Sequence, residues 1–158
     1  MFKYCLWYLL KNDHPINRLI QHNALRFGTR VFPAHVTIEH SIQTKEEAET
    51  KMNRYKEAVV PSFGFSEAPF ASTTSIRNVY NSEEAIFHAI EQPLWINGTA
   101  IEGVHISLAY RVGGKPFLPI DVGCSISHFT YKINNDEIKP VVFSCHSQNP
   151  EEWTLISD

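Results

Sequence analysis

Apolar residues fill positions 2–10 almost without a break, which predicts a buried strand. The period then changes: Ile16, Leu19, Ile20, Ala24 and Phe27 recur at intervals of three and four, the spacing of a helix buried along one face. Asp13 is placed to cap that helix, Pro15 falls in its first turn, and Gly28 can end it. A strand over 31–42 follows. Thr44-Lys45-Glu46-Glu47 has the form of a capping box. Ala48, Met52, Tyr55 and Val59 then mark the apolar stripe of a second helix, a core-packing stripe that Pro61 stops. Alternation predicts strands over 63–70 and 76–80, joined by the polar residues 72–75. Asn81-Ser82-Glu83-Glu84 offers a cap for a third helix, with Ile86, Phe87 and Ile90 on its face and Pro93 at its end. A turn at Asn97-Gly98 leads into a strand over 103–111. After a loop at Gly113-Gly114-Lys115-Pro116, residues 124–133, 141–146 and 153–157 read as three closing strands, with a turn at Asn134-Asn135-Asp136.

This order predicts a mixed α+β fold with helices on the outer faces of sheets. The strand-helix-strand unit occurs twice, so residues 1–158 read as a single domain made of two related, pseudo-symmetric lobes with a cleft between them.

Two of the strands carry the same phrase. His35-Val36-Thr37-Ile38 and His105-Ile106-Ser107-Leu108 each read histidine, apolar, hydroxyl, apolar. Side chains on a strand alternate faces with a period of two. His35 and Thr37 therefore share one face, and His105 and Ser107 share one face. If the two strands lie side by side, two imidazoles and two hydroxyls converge. That set suits a phosphodiester: two groups to move protons and two donors to hold phosphate oxygens. A third copy, His128-Phe129-Thr130, has bulkier flanks and reads as a structural histidine on an outer strand.

Composition narrows the partners. The formal net charge is −3 over 158 residues, with no Lys/Arg cluster. Wrapping a long nucleic acid needs such a cluster, so a small nucleotide or an RNA end is the better substrate. Three cysteines (Cys5, Cys124 and Cys145) without paired spacing imply no disulfide framework and fit reduced, partly buried thiols in a cytoplasmic protein. Asn97-Gly98-Thr99 matches the glycosylation pattern but reads as a turn. The apolar start is too short to cross a bilayer, so no membrane partner is expected, and a monomer is.

The paired phrases half a chain apart resemble those of the two-histidine (2H) phosphoesterase superfamily. Tyr4-Cys5-Leu6-Trp7-Tyr8, the run His105-Ile106-Ser107-Leu108-Ala109-Tyr110 and a terminal strand around Glu152-Trp153 look most like its cyclic phosphodiesterase branch. The resemblance implies a bilobal fold of two related antiparallel sheets around a groove, and a reaction without metal or other cofactor. It implies His35, Thr37, His105 and Ser107 as the catalytic set. Tyr110 would contact phosphate or water, Trp7 would wall the nucleotide pocket, and Arg111 is the best placed of Arg30, Arg77, Arg111 and Lys115 to reach a phosphate. In a flat strand, however, Tyr110 falls on the face opposite His105, and Glu39 falls on the phosphate face. A bend must bring in the first, and strand twist must carry the second to the rim.

Other histidines fit less chemistry. His35 and His40 lack the helical spacing of a zinc site. His14 and His22 read as solvated residues of the first helix, and His88 as a helix-surface residue. His146 and Cys145, being adjacent, point to opposite faces of a strand. Three functions then compete. The first is hydrolysis of 2′,3′-cyclic phosphates on nucleotides, RNA ends or ADP-ribose cyclic phosphate. The second is degradation of 2′-5′ oligoadenylate or cyclic oligonucleotide immune signals. The third is an inactive nucleotide- or RNA-binding module.

Overall fold

The structure, a computed structural model, describes residues 4–28, 30–57, 63–64, 74–79, 83–89, 94–96, 99–101, 105–112, 132–145 and 153–158. For 63–64, 74–79, 83–89, 94–96, 99–101, 105, 110–112 and 132–133 it describes the backbone alone. In chain order the elements are β1 (Tyr4–Leu10), α1 (Pro15–Phe27), β2 (His35–Ile42), α2 (Lys45–Lys56), β3 (Phe63–Gly64), β4 (Thr74–Val79) and β5 (Glu83–Ala89). They continue with β6 (Leu94–Ile96), β7 (Thr99–Ile101), β8 (His105–Val112), β9 (Lys132–Ile133), a 3-10 turn (Asn135–Glu137), β10 (Ile138–Ser144) and β11 (Thr154–Ser157).

Seven strands form one sheet in the order β11-β10-β1-β2-β8-β5-β4, and every pairing within it is antiparallel. The mixed α+β class follows. The sequence predicts two related sheets, whereas both motif strands lie in this one continuous sheet. Its halves meet where β2 pairs β8 at Val36 and Ile106. Two short ribbons, β3-β9 and β6-β7, stand apart from it. The second pairs Ile96 with Thr99; the expected turn at Asn97-Gly98 lies outside the described residues.

The helix ends follow the expected signals at Gly28 and Thr44 but not at Asp13; α2 ends at Lys56, and Val59 and Pro61 lie outside the described residues. Gly28 ends α1 at φ +66°, a left-handed conformation that costs a Cβ-bearing residue most. Thr44 Oγ1 accepts from Glu47 N at 3.2 Å and starts α2. The cap of α1, however, is His14 and not Asp13: its Nδ1 accepts from Ile16 N at 3.2 Å. His14 is buried, with Nε2 3.7 Å from Glu137 Oε2, so it is not the solvated residue that its sequence position predicts. A tertiary partner has outweighed the local preference for an aspartate cap.

The third helix expected from Asn81-Ser82-Glu83-Glu84 is strand β5. It pairs β4 on one side and β8 on the other, so both ladders satisfy its backbone and override a short helical pattern. His88 is thereby a strand residue opposite Ile106. Among the described residues, the second strand-helix-strand unit has a strand where its helix is expected.

The two faces of the first half-sheet have different covers. On one, Leu6, Ile42 and Val142 pack with Ala48 and Met52 of α2, joined by Ile38 and Tyr55. On the other, Cys5, Trp7, Val141, Phe143 and Cys145 cluster with Leu9 and Trp153. Helix α1 packs along β8, where buried Asn23 donates from Nδ2 to Leu108 O at 3.3 Å. Among the described residues no helix is long and apolar enough to cross a membrane.

Tyr8 lies on the α2 face with its ring against Tyr55, and among the described residues its buried hydroxyl has no hydrogen-bond partner. Burial, and then the neighbouring Tyr55, push its ionisation above the ordinary 10.0. The folded state thus keeps its proton where the unfolded state loses it, and stability falls as pH rises above about 10. Tyr8→Phe removes the orphan hydroxyl and is expected to raise stability by about 1 kcal/mol. It is also expected to reduce the alkaline loss, read by urea unfolding at neutral pH and above pH ~10. In the same assay Leu6→Ala should cost about 2–5 kcal/mol. Leu25→Ala, at an 88% exposed position, should move stability by less than about 0.5 kcal/mol.

Candidate functional site

The junction of the half-sheets positions the site. Val36 and Ile106 are register partners, and both are 0% exposed. In an antiparallel pair, one step to either side brings the next residues face to face. His35 therefore stands opposite Ser107, and Thr37 opposite position 105. All four positions of the two phrases fall on one face, as a two-by-two block. Directly opposed residues have Cβ atoms about 4.5–5.5 Å apart. His35 and Ser107 are 5% and 4% exposed, and Thr37 is half-buried.

Both motif strands then break their alternation at the same place. On β2, Trp7 pairs Thr37 while Leu6 pairs Glu39, which leaves Ile38 as an extra residue. On β8, Phe87 pairs Ser107 while Ile86 pairs Ala109, which leaves Leu108 as an extra residue. Each phrase thus carries a bulge directly after its hydroxyl residue, and a bulge re-aims everything beyond it. Glu39 is turned to the α2 face, where Lys51 Nζ lies 3.0 Å from its Oε2. Twist does not carry this carboxylate to the rim; the bulge takes it to the other side of the sheet. On β8 the same shift sets Tyr110 opposite Ala85, on the face of Ser107. Arg111 follows opposite Glu84.

His35 sits in an aromatic box. The ring of Trp7 lies flat on the imidazole, with centroids 3.5 Å apart and planes 12° apart. Trp153 and Phe32 approach edge-on at 6.1 and 6.2 Å. Phe143 also stacks on Trp7, with centroids 4.3 Å apart. Trp7 was expected to wall a pocket, but at 2% exposure its large contact is with His35. The imidazole Nδ1 lies 2.8 Å from Pro33 O. A carbonyl can only accept, so Nδ1 carries the proton and Nε2 is the ring nitrogen that can gain one. Sequence reasoning missed Phe32, Phe143 and the Pro33 carbonyl. Phe32-Pro33 sits immediately before the first phrase, which was the available signal.

The remaining candidates separate from the block. Cys5 and Cys145 are free buried thiols of the same cluster. A hydrogen bond with Cys5, together with burial, pushes the Cys145 thiol well above its usual range, which makes it a poor nucleophile. Lys51 is held above its usual range by its bond to Glu39. His22 and His40 are exposed, and His40 Nδ1 lies 2.9 Å from Ser41 Oγ. Arg30 is exposed, and Arg77 is on β4. Lys115, Cys124, His128 and His146 lie outside the described residues. Among the described residues no three His, Cys, Asp or Glu side chains converge as a metal-binding group.

Compared with known proteins, the chain matches no protein-family model, and no curated protein matches it.

The stack gives a direct expectation. Protons on an imidazole held flat against an indole resonate upfield, so the His35 ring signals should lie upfield of those of exposed His22. Trp7→Phe should keep most of that displacement. Trp7→Leu should abolish it and cost about 3 kcal/mol of stability as a large-to-small core change. Proton NMR and urea unfolding on the same samples check both.

Proposed function

We propose that this chain is a metal-independent phosphodiesterase that opens 2′,3′-cyclic phosphates on nucleotides, RNA ends or ADP-ribose cyclic phosphate. The reading rests on one observation above all. The Val36–Ile106 pair aligns the two phrases so that both histidine positions and both hydroxyl positions share a face. We read the half-sheets β11-β10-β1-β2 and β8-β5-β4 as the two lobes of a 2H-type fold, with the substrate groove over their junction.

In this mechanism one imidazole takes a proton from water as its oxygen attacks phosphorus. The other gives a proton to the ribose oxygen as the ring P–O bond breaks. His35 works through Nε2, because Nδ1 is engaged with Pro33 O. The flat face of Trp7 stabilises the imidazolium whenever His35 carries the extra proton. Thr37 and Ser107 donate to the non-bridging oxygens, where charge builds in the transition state. Tyr110 and Arg111 add phosphate contacts. The removal of Glu39 to the α2 face supports the reading, since a carboxylate beside the phosphate would repel it. The free thiols Cys5 and Cys145 fit a reducing, cytoplasmic setting, and we take the working form to be a monomer.

The test is turnover of 2′,3′-cyclic nucleotides by the purified protein in EDTA. His35→Ala and His105→Ala should each reduce turnover by about 10²–10⁴-fold. Ser107→Ala should reduce it by about 10²-fold or more. EDTA-sensitive activity, or full activity in His35→Ala, would sink the reading. Cleavage confined to 2′-5′ oligoadenylate or cyclic dinucleotides would move the same four residues to the destruction of immune signals. Nucleotide binding without cleavage of anything would leave an inactive module.

A further inference from the structure

Asn23 interrupts the apolar stripe of α1. The buried residues of that helix are Ile16, Ile20, Asn23 and Ala24, and Asn23 is 0% exposed. Asparagine is a poor helix former, and a buried amide is costly unless it is hydrogen-bonded. Its bond leaves the helix: Nδ2 donates to Leu108 O at 3.3 Å. A carbonyl only accepts, so the amide has one orientation, with Nδ2 toward β8. Oδ1 is also buried and has no partner among the described residues. The helix thus carries a half-satisfied buried amide whose hydrogen bond is spent on one carbonyl of β8.

That carbonyl belongs to the bulge. Ser107 pairs Phe87 and Ala109 pairs Ile86, so Leu108 is the residue that the β5–β8 ladder leaves over. The peptide groups of an extra residue fall out of register with the neighbouring strand, and buried ones need another partner. Leu108 is buried, and Asn23 supplies that partner. The bulge decides the facing of everything after it. With Leu108 left over, Ala85 stands opposite Tyr110, and position 110 falls on the face of Ser107. With Leu108 taken into the ladder, Ala85 would oppose Ala109, and positions 110 and 111 would exchange faces. The bond to Asn23 favours the first arrangement. A carbonyl drawn back into the ladder would point along the sheet and leave the whole buried amide unpaired. The first phrase is held from the other helix: its bulge residue Ile38 packs with the α2 cluster, and Lys51 bonds Glu39 just beyond it.

We infer that Asn23 is a positioning residue for the second phrase: its amide fixes the β8 bulge and so decides that Tyr110, and not Ala109, follows Ser107 on the site face. The inference rests on the function proposed above and adds to it a residue that touches no substrate.

The experiment has two arms, and the first needs no turnover. Cross-strand nuclear Overhauser contacts between the backbones of Ala85 and Tyr110 are expected in the wild type. Asn23→Leu keeps the volume and removes the donor; Asn23→Asp keeps the shape and puts an acceptor in the donor's place. Each should weaken the Ala85–Tyr110 contact and bring in one between Ala85 and Ala109. Ile20→Val, a buried trim one turn earlier on α1, should lower the melting temperature and leave the contact as it is. The second arm is a double-mutant cycle on the opening of a 2′,3′-cyclic nucleotide in EDTA. Tyr110→Phe alone should lower kcat/KM by about tenfold or more, as the loss of a hydrogen bond to a charged group. In the Asn23→Leu background the same change should cost less than about twofold, since the hydroxyl has already left the site. Equal cost in both backgrounds, or a contact that persists in both Asn23 variants, overturns the inference. So does an Ile20→Val that moves the contact as far as Asn23→Leu does, because loosened packing would then account for it. If neither Asn23 variant folds, the wild type decides. Its Asn23 side-chain amide protons should exchange far more slowly than those of exposed Asn53, and equal rates overturn the inference. A changed contact in a protein that opens no cyclic phosphate would overturn the hydrolase reading and leave Asn23 as the residue that sets the strand.

Discussion

The candidate site depends on the pairing of Val36 with Ile106. These residues are the buried sides of two phrases whose other sides carry histidine and hydroxyl groups. Side chains on a strand have a period of two, so a slip of one residue would set the histidine face of one strand against the apolar face of the other. Burial prevents the slip. A slip would turn His35 or Ser107 into the apolar core on the helix-covered face, where a buried polar group left unpaired costs about 1–3 kcal/mol. The same apolar contact that holds the half-sheets together therefore sets which chemical groups meet. Packing on one face of the junction is the positioning device for polar groups on the other.

The two bulges extend this logic. Ile38 and Leu108 are the extra residues, and each follows the hydroxyl residue of its phrase. Both are aliphatic: Ile38 packs against the α2 cluster and Leu108 is buried. A bulge there lets the phrase keep strict alternation over its first three residues and reset it afterwards. On β2 the reset removes a negative charge from the site face and hands it to Lys51. On β8 it recruits the position of Tyr110. The two bulges stand at the same place in the two phrases, although β2 carries a second register shift between Tyr4 and Leu6 that β8 does not match.

A strand at the place of the expected third helix marks how far the sequence could be read. The strands bearing the phrases, both described helices and the Gly28 stop follow from periodicity and end signals, which are local. The shared face of His35, Thr37 and Ser107 follows from the period of two once the strands are neighbours. What escaped reading is non-local. Strand β5 owes its state to ladders on both sides, and an Asn-Ser pair reads in sequence equally as a turn signal or a helix cap. His14 caps α1 because Glu137, from the far end of the chain, stands beside it. Glu39 was assigned to the wrong face because a bulge has no period of its own. Trp7, assigned to a pocket wall, became a support because Phe143 and Trp153 arrive from distant strands to box it in.

That box also bears on how a protein of net charge −3 could hold a phosphate. A cluster of lysines would provide attraction at long range. This chain instead arranges what stands at short range. The carboxylate nearest the phrases is displaced through the sheet, hydroxyl positions face inward, and apolar rings exclude water around His35. Excluding water lowers the local dielectric, which strengthens each remaining donor–anion contact and penalises an unpaired charge. Such a site gains little affinity for phosphate in general and discriminates by geometry. Under the proposed function, its fit is to a small anionic group presented at the junction.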